Sequence, residues 1–292
     1  MTSSAKLRSG KGSRDENFPV ASILIKRRHR PVILAFYEFV RVADDIADHL
    51  SLGPDEKLRR LDRLEQSLLG QAQDDAEGVK LAVLLRERGL PARHAQDLLE
   101  AFRQDVTKLR YSDWNELIDY CSRSAMPVGR FVLDVHGEAR STWAANDALC
   151  AALQIINHLQ DCGDDYRKLD RVYIPLDFLV ASGIGVDALA QPKASAPLRA
   201  CLHAVAARTS ALLLESCGLA ESVRDTGLAI EIAGIQSLAR RLLELLHQRD
   251  PLSERVHLGK VEALVMAASG AARALTQRWL GAAASARRYQ TP

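Results

Sequence analysis

The segment FYEFVRVADDIADHL, residues 36–50, sets the tightest constraint on the fold. Three aspartates, Asp44, Asp45 and Asp48, stand among Phe, Val, Ile and Ala in what reads as a buried helix. Buried carboxylates are costly unless they are paired or bound to metal. On a helix, Tyr37, Arg41, Asp44 and Asp48 follow one another at steps of 4, 3 and 4, so they share one face. Asp45 is turned about a quarter-circle away. LQIINHLQDCGDDY, residues 153–166, repeats the arrangement: Gln154, Asn157, Asp161 and Asp165 lie at steps of 3, 4 and 4 beside Leu153, Ile156 and Leu159.

Like charges at i, i+4 destabilise a helix, so something must offset two such pairs. Solvent does so on an exposed face. Asp74 and Asp75, in the polar run GQAQDDAEG, read as a solvated loop of that kind. Stripes that also carry Tyr, Arg, Gln and Asn favour hard cations bridging two helices across a cavity. Carboxylate and amide oxygens suit Mg²⁺, which keeps waters and binds substrate phosphates at the same time.

The rest of the chain reads as helix after helix. Patterns at 31–50, 54–69, 75–88, 91–107, 113–122, 125–139, 145–166, 175–182, 195–217, 222–247 and 257–280 are separated by Gly and Pro, with a shorter one at 18–27. No alternating strand and no fixed-period repeat is present. With 292 residues, 47% hydrophobic and only 5% aromatic, the chain is expected to form one all-α domain over 17–285, a helical bundle around a central cavity, after a disordered polar segment at 1–16. A net charge of +2 implies no nucleic-acid partner. Cys121, Cys150, Cys162, Cys201 and Cys217 form no CxxC pair and read as buried thiols of a reducing compartment. No signal peptide or apolar span is visible, so a cytoplasmic location is expected.

YEFVRVADDIAD and QIINHLQDCGDDY resemble the two aspartate-rich motifs of the squalene/phytoene synthase family, the head-to-head prenyl synthases. RVYIPLD, residues 171–177, and WNELIDYCSRSAMPVG, residues 114–129, resemble the segment after the second motif and the helix beside the reacting carbons. The resemblance is good over roughly residues 16–180 and faint beyond. It implies an isoprenoid-synthase bundle, Mg²⁺ as cofactor and a prenyl diphosphate as substrate. Asp44, Asp48, Asn157, Asp161 and Asp165 match metal ligands. Tyr37, Arg41, Gln154 and Arg171 match positions that contact diphosphate or line the reaction centre, with Tyr173 beside them. Tyr37, Phe39 and Phe131 are candidates to face a carbocation. Tyr120 is a candidate whose direction, cavity or core, stays open.

Departures narrow the reaction. SAMPVG, residues 124–129, stands where the family usually has a VAGxVG-like run, and Ser122 and Arg123 follow Tyr120–Cys121. Together with ENFPVAS at 16–22 and AFRQDVTKLRYSDW at 101–114, this resembles the hydroxysqualene-forming branch of the bacterial hopanoid route. That branch ionises presqualene diphosphate and adds water. The alternatives are condensation of two prenyl diphosphates, as in presqualene diphosphate, squalene or phytoene synthesis, and an inactive scaffold, which would tend to lose the acids kept here. Tyr120, Ser124 or the leaving diphosphate are candidates to hold the water. SGIGVDA, residues 182–188, matches GxGxxA loosely, but no strand precedes it, so it reads as a helix-ending loop. His158 reads as a packing residue off the stripe. KRRHR, residues 26–30, reads as a solvated helix end, with attraction to anionic lipid or to diphosphate as alternatives. Peripheral membrane contact and association with other enzymes of the squalene route complete the expected partners.

Overall fold

The structure is a computed structural model that describes residues 25–288, with side chains described as far as 280. The expectations for residues 1–16 and for most of the helix at 18–27 lie outside that range. Among the described residues the chain forms α-helices and short 3₁₀ turns, with no strand and one isolated parallel bridge between Arg110 and Val172. Twelve helices run in order: α1 Arg30–Ala47, α2 Pro54–Leu68, α3 Ala76–Arg88, α4 Arg93–Thr107, α5 Trp114–Ser124, α6 Met126–His136, α7 Trp143–Leu169, α8 Leu176–Ala181, α9 Ala196–Glu215, α10 Leu219–Ser222, α11 Thr226–Gln248 and α12 Lys260–Arg288.

Local chemistry explains their ends. Pro31, Pro54 and Pro127 open α1, α2 and α6, where a missing N–H costs nothing. Asp75, Asp113, Ser195 and Asp225 cap α3, α5, α9 and α11 by accepting from backbone N–H groups of the first turn. Asp75 is thus a buried cap and not the solvated loop residue expected from GQAQDDAEG. Acidity next to an apolar helix start reads equally well as solvent or as a cap.

The basic run 26–30 is also more engaged than a solvated helix end. His29 is buried against His136, with ring centroids 4.5 Å apart. Lys26 pairs with Asp225 at 2.7 Å, while Arg27 and Arg28 remain exposed. The glycines of SGIGVDA do form a helix-ending loop, with Gly183 in the left-handed region just after α8.

Two apolar cores hold the bundle. One joins α1 to α4 and α6 through Phe36, Phe39, Leu61, Leu64, Leu98 and Phe131. The other joins α5, α7, α9 and α11 through Leu117, Ile155, Leu159, Leu202 and Leu242. Phe39 is fully buried in the first core, so it faces no cavity and the expectation that it meets a carbocation is withdrawn. The cores are bridged where α6 lies against α7. A Cβ on Gly129 would fall 2.1 Å from Asn146 Oδ1 and 2.6 Å from Cys150 Sγ, so only glycine permits that approach. A cavity remains between the two cores.

Candidate active site

The cavity encloses about 580 Å³, a volume suited to a small-molecule site. Apart from Phe39, the site residues singled out from the sequence line it: Tyr37, Arg41, Asp44 and Asp48 from the α1 side, Tyr120 from α5, Gln154, Asn157, Asp161 and Asp165 from α7, Arg171 and Tyr173 from the turn after α7, and Phe131 from α6. Asp45 and Asp164 do not line it. Asp45 is tied to Arg41 at 3.4 Å, and Asp164 pairs outward with Arg167 and Lys168.

One end of the cavity is polar. Asp44 is 39% exposed toward it and sits 3.1 Å from Arg41. Burial and the neighbouring Asp48 push the Asp44 carboxyl up to about 7 against the pull of Arg41. Burial, then Asp161 and Asp48, push Asp165 up to about 7. Loss of water is the larger cause of both shifts, and repulsion between the neighbouring carboxylates the second. Arg171 is the main counterweight. Its guanidinium donates to Asp48 Oδ1 at 2.5 Å, to the Ala47 carbonyl at 3.2 Å and to the Asp105 carbonyl at 3.1 Å.

Asp105 on α4 is the main residue that the sequence reading missed. Its carboxylate accepts from the Tyr120 hydroxyl at 2.8 Å and the Tyr173 hydroxyl at 3.0 Å. Burial raises it to about 6, while Arg171 and the two phenols pull it down. The signal was present: Asp105 continues the apolar face of Leu98, Ala101 and Phe102 and lacks the stripe that flagged the other acids. Tyr120 therefore faces the cavity with its hydroxyl already committed. His158 also lines the cavity, correcting its placement off the stripe. It is one turn beyond Gln154, pairs with the Gln154 amide at 3.2 Å and stacks on Tyr173 at 3.6 Å. Burial holds its imidazole near 3, so it is neutral at ordinary pH.

The other end is apolar. Phe36 and Phe131 stack at 3.9 Å and 11°, joined by Ile33, Val128, Leu149 and Ile232. Phe36, unlike Phe39, was not anticipated. Cys150 also lines the cavity, and burial pushes its thiol up to about 12, which leaves it unreactive.

Among the described residues, no three acidic, His or Cys side chains converge into a ready-made ion cage. The donors are spread along two helices instead. Hard oxygen donors with excess negative potential fit divalent cations that complete their shells with water and substrate oxygens.

An all-helical bundle that sets two acidic stripes at one end of an otherwise apolar cavity defines a synthase of the isoprenoid class. The chain belongs to the squalene/phytoene synthase family, whose model matches residues 12–262. It is 58% identical over 271 residues to a hydroxysqualene synthase of Rhodopseudomonas palustris, covering 93% of this chain and 92% of the relative. To a hydroxysqualene synthase of Sinorhizobium fredii it is 53% identical, covering 96% of each. Among solved structures, a squalene synthase of Alicyclobacillus acidocaldarius superposes with a TM-score of 0.71 at 29% identity, over 84% of this chain and 92% of that one. A dehydrosqualene synthase superposes with a TM-score of 0.77 at 19% identity, over 94% and 95%, which speaks to the fold alone.

Replacing Asp105 by Ala strands two buried phenols and is expected to destabilise the protein by roughly 3 kcal/mol in urea unfolding. Tyr120→Phe should then cost at least about 1 kcal/mol less in the Asp105→Ala background than in the parent protein. Strict additivity would show that the two groups do not act as a unit.

Proposed function

We propose that the chain is a hydroxysqualene synthase that converts presqualene diphosphate and water into hydroxysqualene and diphosphate with Mg²⁺. The observation that carries this reading is the pair of intact acidic stripes at one cavity, in a chain more than half identical to relatives of that name.

Asp44 and Asp48 from the α1 side, and Asn157, Asp161 and Asp165 from α7, are the residues that would hold Mg²⁺. Held by these oxygens, Mg²⁺ would supply positive charge to neutralise a departing diphosphate. Arg41 and Arg171 line the same end and present guanidinium groups to diphosphate oxygens. Gln154 and Tyr173 border that end and orient the substrate where the polar lining gives way to the apolar one. The carbon–oxygen bond breaks with its electrons leaving on diphosphate. The Phe36–Phe131 stack and Tyr37 offer aromatic faces to the resulting cation. The apolar wall keeps bulk water away while the cyclopropane opens.

We place the enzyme on the cytoplasmic side of a membrane, in peripheral contact with it, where it would meet the other enzymes of the squalene route. Among the described residues no helix is long and apolar enough to cross a membrane. The exposed Arg27 and Arg28 follow Lys26, which is anchored on Asp225. Arg278 donates to the carbonyls of Ala220, Val223 and Arg224, which puts the exposed Trp279 at the same edge. A basic cluster beside an exposed aromatic suits an anionic lipid surface.

Asp44→Ala and Asp161→Ala should each lower turnover at least about a thousandfold with an unchanged helical circular-dichroism spectrum, while Asp45→Asn and Asp164→Asn remain within about tenfold of the parent. Equal damage at Asp44 and Asp45, or full activity in EDTA, would refute the metal assignment. Presqualene diphosphate in ¹⁸O-labelled water should give labelled hydroxysqualene with or without NADPH. Squalene formed only with NADPH would refute the reading, and consumption of farnesyl diphosphate alone would replace it by the condensing reaction. Flotation with phosphatidylglycerol vesicles should show binding that falls with salt and with Trp279→Ser. Indifference to lipid charge would remove the membrane contact.

A further inference from the structure

The water that ends the proposed reaction must be held at one place in a cavity whose walls otherwise repel it. Away from its acidic end the cavity offers few polar groups: the Glu231 carboxylate on α11, and several groups that are already committed. The hydroxyls of Tyr120 and Tyr173 both donate to Asp105. Gln154 and His158 are paired with each other. Asn146 bonds Asp147 and accepts from the Cys150 thiol.

Ser124 differs. It lines the cavity, its Oγ is fully buried, and that atom makes no hydrogen bond to any described residue. A buried hydroxyl left in that state costs about 1–3 kcal/mol, so its retention calls for a ligand.

Two contacts fix its level in the cavity. One turn earlier, the Tyr120 ring lies 6.1 Å from the His158 ring. Five residues later, Gly129 abuts Asn146 and Cys150. The α5–α6 segment therefore runs antiparallel to α7, and Ser124 falls opposite Leu153 and Gln154. That is where the lining changes from carboxylates to Val128, Leu149 and Phe131. Counted along α7, the level lies about 10 Å from Asp161, the distance at which the carbon skeleton of a substrate begins once its diphosphate lies among the acids. The break between α5 and α6 holds Ser124 in place: Ala125 leaves the helical region, at φ −130 and ψ −48, and Pro127 has no N–H to offer the Arg123 carbonyl.

We propose that Ser124 positions the attacking water, its hydroxyl holding that water against the carbocation. This rests on the reading of the chain as a hydroxysqualene synthase. Loss of diphosphate and breaking of a cyclopropane carbon–carbon bond leave a ring-opened allylic cation, and a lone pair of the water oxygen forms the new carbon–oxygen bond at an electron-poor carbon of that cation. The second O–H bond of the former water stays in the product alcohol. The first breaks, and its proton passes to the released diphosphate, which is the base that the reaction itself supplies. Serine holds the water and is regenerated unchanged. A chain with an aliphatic side chain at this position would leave the cation to lose a proton from carbon and give a hydrocarbon.

The test is product partition. The parent enzyme, Ser124→Ala, Ser124→Val and Ser124→Thr are each given presqualene diphosphate and Mg²⁺ in ¹⁸O-labelled water. Diphosphate release and all C30 products are measured together. The expected result is that labelled hydroxysqualene per diphosphate released falls at least about fivefold in the Ala and Val variants, with polyene hydrocarbon taking its place, and that Thr restores the alcohol. Normalising to diphosphate released separates this from a general loss of activity, and Val, near-isosteric with the Thr variant, separates loss of the hydroxyl from the added bulk. An unchanged alcohol fraction in both the Ala and Val variants would overturn the role of Ser124. Absence of hydroxysqualene from the parent enzyme would overturn the underlying reading instead.

Discussion

Repulsion among acids at one end of a cavity is the constraint on which the rest of this structure depends. Asp44, Asp48, Asp105, Asp161 and Asp165 all line that end. Asp44, Asp105 and Asp165 are pushed above the ordinary aspartate range by desolvation in the cavity wall and by their neighbouring carboxylates. In a protein of ordinary marginal stability such a cluster is tolerable only with compensation. Arg41 and Arg171 supply part of it, and the two cores, with their long runs of buried leucine and isoleucine, supply the rest. The charge that burdens the folded chain is the same charge that would attract divalent cations and, through them, a diphosphate.

The opposite character of the far end follows from the same architecture. Stacked Phe36 and Phe131 belong to the first core yet line the cavity, so one pair of rings serves packing and lining at once. Gly129 permits the close approach of α6 and α7 that seals this side. The contrast between a wet, charged mouth and a dry interior is what lets a leaving group ionise at one place while the resulting cation survives at another.

Much of this was legible in the sequence because helical spacing is a strong geometric statement. Tyr37, Arg41, Asp44 and Asp48 share a face for any helix through that segment, and the same holds for Gln154, Asn157, Asp161 and Asp165. Asp45 fell outside its face, as the structure places it. What escaped was set by tertiary contacts. Asp105 carries no companion at i, i+4, and its partners Tyr120 and Tyr173 are 15 and 68 residues away. Phe36 and Phe39 sit three residues apart on one helix, and only packing against Phe131 decides which of them meets the cavity. Asp75 and His29 were misjudged because a polar residue at an element boundary serves as cap, as packing or as solvated surface with no change in local pattern.

Arg171 has a consequence for how the molecule is made. It lies 123 residues after Asp48, whose carboxylate it holds, and it also bonds the Ala47 carbonyl at the end of α1. During synthesis α1 emerges first, and its acids wait for their principal counter-charge while roughly a hundred further residues are added, several seconds at ordinary elongation rates. The leading half of the chain can gather its leucines early, but its catalytic mouth stays an unresolved electrostatic debt until the turn after α7 leaves the ribosome. A messenger cut short before that turn would yield a protein with half a core and no working pocket.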